Sequence, residues 1–134
     1  MSAAALIALA AAFAATPAPP ATVSQLRWKN RVLLVTAPDA ADAAAADQRR
    51  IFAAMSESSD DRDLVLVEVL GTAVRGASDG AAGLRRAYHL PVDRFTVILI
   101  GKDGGEKLRA QAPLSFATLS RTIDAMPMRR NGER

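Results

Sequence analysis

The sequence predicts an α/β domain, a three-layer sandwich on a mixed four-stranded sheet, with elements in the order β-α-β-α-β-β-α. Three observations predict it. Residues 31–36, 64–70 and 95–100 are aliphatic, β-branched runs with little polar alternation, the pattern of strands covered on both faces. Segments with helix caps and helical spacing separate them. Lys102-Asp103-Gly104-Gly105 then joins the last covered run to an alternating segment, as a hairpin turn does, because glycine supplies the positive φ such turns need. With 134 residues there is room for one domain.

Each element has its local reason. Arg31 to Thr36 is broken by Ala37-Pro38-Asp39, and Asp39 is placed to cap a helix, with Asp42 three residues on. That helix is expected to reach about Ser58, turning Ala44, Ile51, Phe52 and Met55 inward. Residues 58–63, including Asp60-Asp61-Arg62-Asp63, read as a polar surface turn rather than a calcium loop, whose oxygen spacing they lack. Leu64 to Leu70 is the second covered strand and holds Glu68, which either faces the sheet edge or pairs with an arginine such as Arg85. Gly71 to Gly80 carries three glycines and reads as a loop. Ala81 to Tyr88 is a short helix stopped before Pro91, with His89 at its end. Phe95 to Ile100 is the third covered strand, and Glu106 to Gln111 alternates like a half-exposed edge strand. Ser115 caps a last helix carrying Phe116, Leu119, Ile123 and Met126, ended by Pro127, with a frayed basic tail from Met128 to Arg134. Covered strands separated by helices predict parallel pairing through right-handed crossovers, the hairpin adding one antiparallel edge strand. That arrangement is the core of the thioredoxin fold.

The amino terminus reads as a targeting segment. Ala3 to Ala15 is an uninterrupted small and apolar run, too short to span a bilayer, which takes about 20 residues. It ends in Ala12-Phe13-Ala14, a small-x-small pattern suited to a signal peptidase, although no Lys or Arg precedes it. Residues 1–21 are therefore expected to be a signal peptide and Pro/Ala-rich leader, and residues 22–134 the folded domain, periplasmic or secreted, with no transmembrane span in the mature chain.

Composition excludes much chemistry. There is no cysteine, hence no disulfide, thiolate nucleophile, iron–sulfur cluster or Cys-based zinc site. His89 is the single histidine, so a multi-His metal site is excluded too. No cofactor is implied. A net charge of +3 falls short of the concentrated basic face of a nucleic-acid binder.

Three segments carry a family resemblance: Arg27 to Asn30 leading into Arg31-Val32-Leu33-Leu34-Val35-Thr36-Ala37-Pro38, then Phe95 to Gly105, then Ile123 to Arg130. In order and spacing the chain resembles the bacterial family of domains of unknown function numbered 4174, over about Val23 to Arg130. The resemblance implies a thioredoxin-like or peroxiredoxin-like fold and an exported bacterial setting; it implies no activity. Where such redox folds hold a thiolate, at the junction of first strand and helix, this chain has Ala37-Pro38-Asp39-Ala40-Ala41-Asp42. Where they place a cis-proline before the third strand, it has Phe95, with Pro91 four residues earlier.

The candidate binding residues follow. Trp28 lies among Arg27, Lys29 and Arg31, and such interleaving can hold an anionic or sugar-like ligand by stacking and charge, or can simply pin the start of the domain. Arg129 and Arg130 can reach an acidic partner or suit a helix end. Lys102 and Asp103 form a hairpin first and a binding loop second. Together they point to a non-catalytic binding module for a protein or cell-envelope component. The alternative is a cysteine-independent enzyme of peroxiredoxin-like descent using Glu68, His89 or arginines.

Overall fold

The computed structural model describes residues 20–133; the apolar run from Ala3 to Ala15 and most of the proline-rich leader lie outside them. Ser78 N–H donates to the Ala21 carbonyl (3.1 Å) and Val23 N–H to the Asp79 carboxylate (2.8 Å), fastening the first residues to the 76–80 loop.

Five strands form one sheet. β1 (Arg31–Ala37) is buried throughout, and β2 (Leu64–Leu70) lies parallel to it, Arg31 facing Leu64 and Ala37 facing Leu70. β3 (Ala73–Arg75) turns back antiparallel on β2; β4 (Thr96–Ile100) and β5 (Glu106–Ala110) complete the order β3-β2-β1-β4-β5. Two expectations are corrected here. The sheet has five strands, because Ala73–Arg75 within the expected loop pairs with β2. The third covered run is antiparallel to β1, Thr36 facing Thr96 and Val32 facing Ile100. A strand buried on both faces has the same composition in either direction, so the aliphatic run carried no directional signal.

Period-two alternation divides the covered strands between two cores. Leu33, Val35, Ala37, Val97 and Leu99 meet α1 (Ala43–Ala54) and α4 (Phe116–Asp124) through Ala45, Leu119 and Ile123. Val32, Leu34, Val67, Val69 and Ile98 meet α3 (Ala81–Tyr88) through Ala81 and Leu84 on the other face.

Three helix boundaries differ from expectation. The first helix is capped by Asp42, whose Oδ2 accepts from Ala45 N–H (3.0 Å), while Asp39 closes a turn by accepting from Ala41 N–H (2.9 Å). It breaks at Met55, short of the expected end near Ser58, and a second helix, α2 (Ser56–Asp61), follows and takes in part of the expected 58–63 turn. Pro127 opens α5 (Pro127–Arg130) instead of only ending the last helix, because proline suits the first helical turn; that part of the basic tail is helical. Among the described residues, no helix is long and apolar enough to cross a membrane.

Candidate functional site

Strand register decides which loops meet. With β2 parallel and β4 antiparallel to β1, one edge of the sheet gathers the starts of β1 and β2 and the end of β4. Residues 27–30, Asp63 and the 101–105 turn therefore crowd together. Trp28 stands there at φ 70°, an unusual conformation for a bulky side chain, held by its N–H donating to the Lys102 carbonyl (2.6 Å). The residue is 60% exposed, with the Arg27 guanidinium 5.3 Å from its ring centroid.

Beside the indole is a pocket of about 260 Å³ walled by Trp28, Arg31, Lys102, Asp103, Lys107 and, at the start of α5, Met126, Pro127 and Met128. Of the residues the sequence singled out, Trp28, Arg31, Lys102 and Asp103 are brought together in it. Lys29 is exposed and faces a separate cleft with Pro20, Gln25 and Leu26. Arg130 is exposed on α5. Arg129, read as a solvated or partner-seeking cation, instead bonds Asp61 and Asp124, clamping α5 to α2 and α4. The methionine wall was missed because the residues after Pro127 read as a frayed tail; the apolar pair flanking Pro127 was the available signal.

The basic residues are more internal than a surface patch. Arg31 is only 1% exposed. Its Nη1 donates to the Arg62 carbonyl (2.7 Å) and its Nε to the Met126 sulfur (3.4 Å). Burial and then the Arg129 charge lower its pKa, opposed by Asp63 and Asp124 at longer range. Lys102 is buried too, with Nζ 2.7 Å from Asp63 Oδ2. Lys107 (2.8 Å) and the Gly105 N–H (2.9 Å) hold the Asp103 carboxyl below the usual carboxylate range.

Asp124 is likewise held low, chiefly by its paired bonds from Arg62 (3.1 and 3.0 Å), then by Arg129 (3.3 Å). A carboxylate depressed in the folded state contributes stability above its unfolded pKa, about 3.9, and loses it as pH falls through the folded value. Asp124→Asn is therefore expected to lower the urea midpoint at pH 7, with the gap from the natural chain closing below about pH 4. An equal gap at pH 7 and at the acid end would show that the residue acts through packing.

At the opposite edge, the junction of β1 and α1 is held together by its own side chains. The carboxylates of Asp39 and Asp42 are used on their own backbone. Arg85 donates to the Gly71 carbonyl (2.5 Å) and the Ala37 carbonyl (3.3 Å), capping the ends of β2 and β1. Glu68 pairs with Arg49 rather than Arg85, in a paired geometry at 2.6–3.1 Å. His89 is the left-handed C-cap of α3 and is exposed. Phe116, expected to turn inward from the last helix, is 47% exposed and instead borders a broad cleft with Ile51 and Met55.

A family model described as Domain of unknown function (DUF4174) matches residues 22–132, a span that includes every strand and both sheet edges. No curated protein matches the chain.

Proposed function

Because the chain belongs to the DUF4174 family, we propose that it is an exported, thioredoxin-like binding module without catalytic chemistry, holding a protein or cell-envelope partner at the Trp28 pocket. The parallel β1-α1-β2 unit, the antiparallel β4-β5 hairpin and helices on both faces support the thioredoxin-like reading, with β3 as an added edge. The chain has no thiol of its own to oxidise. Glu68 and His89, on which an enzyme reading would call, serve as an ion-pair partner and a helix cap.

One observation carries the binding role. A large aromatic side chain normally gains stability by burial. Here Trp28 is kept outside, in a strained backbone conformation, over a pocket with an apolar wall and cations. Such an arrangement disfavours the isolated domain and favours a complex.

Trp28→Ala is expected to weaken retention of the purified domain on cell-envelope fractions by roughly tenfold or more, as loss of an aromatic anchor does. Its unfolding should remain cooperative. Insulin disulfide reduction and peroxide consumption should stay at the no-protein background; either activity above it, or undiminished retention of the variant, would overturn the proposal.

A further inference from the structure

Arg31 is a buried cation without a carboxylate of its own. At 1% exposure it makes no ion pair among the described residues, and its two side-chain bonds go to neutral acceptors, the Arg62 carbonyl and the Met126 sulfur. Its Nη2 makes no hydrogen bond there. Asp63 engages Lys102, and Asp124 engages Arg62 and Arg129. A buried charge left in this state is expensive, and the usual remedy is a counter-charge. Arg31 also lines the pocket beneath Trp28. Among the described residues, the side-chain atoms sealed from solvent without a partner are Arg85 Nε and Ser120 Oγ; Arg31 Nη2 is not one of them.

We infer that this pocket receives a monoanionic organic carboxylate with an aromatic or aliphatic body, the carboxylate meeting Arg31 Nη2 and the body lying between Trp28 and the methionine wall. The inference rests on the binding role proposed above and names its ligand chemistry. About 260 Å³ admits one ring or branched chain with its acid group, not a whole folded ligand. A guanidinium fork suits a carboxylate, and Asp103 on the same wall disfavours a dianion. A free aryl acid and a peptide C-terminus ending in an aromatic residue present the same chemistry.

The test titrates phenylacetate, N-acetylphenylalanine, phenylacetamide and inorganic phosphate into the full chain, by calorimetry and by the fluorescence of its single tryptophan. Both acids should saturate, with phenylacetate binding at least about tenfold tighter than its amide, because only the acid supplies the charge-assisted bond. Inorganic phosphate should not displace them. A preference for N-acetylphenylalanine identifies a peptide end, and a preference for phenylacetate a free acid; either supports the site. Arg31→Met should abolish the acid–amide difference, and should that variant not fold, the comparison on the natural chain decides alone. Equal affinity for acid and amide, no saturation, or displacement by phosphate would overturn the inference. Failure of phenylacetate to bind while Trp28→Ala still loses envelope retention sinks the carboxylate alone; phenylacetate binding with retention unaffected sinks the earlier proposal instead.

Discussion

Replacing Arg49 with methionine is expected to destabilise the fold by roughly 3 kcal/mol, the low end of what severing a buried ion pair costs. Glu68 is 5% exposed in the middle of β2, on the face that α1 covers. Arg49 reaches it from α1 with Nε and Nη2, so this pair fastens helix to sheet. The bond to Glu68 is the main reason the Arg49 pKa lies above its ordinary value. Without the arginine, Glu68 is left unpaired in the interior or pulls β2 away from α1. The arginine side chain is 35% exposed, which lets water share the penalty and sets the low-end figure. Adding Glu68→Leu should return most of the loss in urea unfolding at pH 7, since a buried pair exchanged for apolar groups is often neutral. Equal losses in the single and double variants would mean that the arginine stem, rather than its charge, holds α1.

Gln48→Leu is expected to cost a similar amount, about 3 kcal/mol, from two peptide groups left unpaired at about 1–3 kcal/mol each. Gln48 is fully buried on α1. Its Nε2 donates to the Leu114 carbonyl (3.1 Å) and its Oε1 accepts from the Leu114 N–H (2.7 Å), so one amide satisfies both backbone groups of the residue that leads into α4. Leucine fills the volume and satisfies neither. A loss for Gln48→Leu under about 1 kcal/mol in calorimetric unfolding would show that water or loop movement replaces these bonds.

These two side chains show where sequence reasoning stops. The limits of β2 and α3 agree with those expected from the sequence, and β1 and β4 lie within one residue of theirs; for the strands, burial on both faces leaves an aliphatic run. β3 left no such trace: three residues bounded by glycines at 71 and 76 look like a loop until β2 supplies a partner. The break at Met55 has no proline or glycine to announce it. Polar residues misled most. Gln48, Arg31 and Lys102 would be solvated by type, and only the fold brings Leu114, Arg62 and Asp63 to them. The candidate pocket was half visible. Trp28 and Lys102 stood out as residues, but their meeting depends on β4 running antiparallel to β1, which the sequence did not disclose.

We propose that partners meet the edge carrying Trp28 and not the β1–α1 junction. A photo-crosslinking amino acid placed at position 28 in one protein and at Ala40 in another, each illuminated with cell-envelope fractions, tests it directly. Adducts at 28 competed away by unlabelled natural domain, with none at 40, are the predicted result. Specific adducts at 40 and none at 28 would contradict the account.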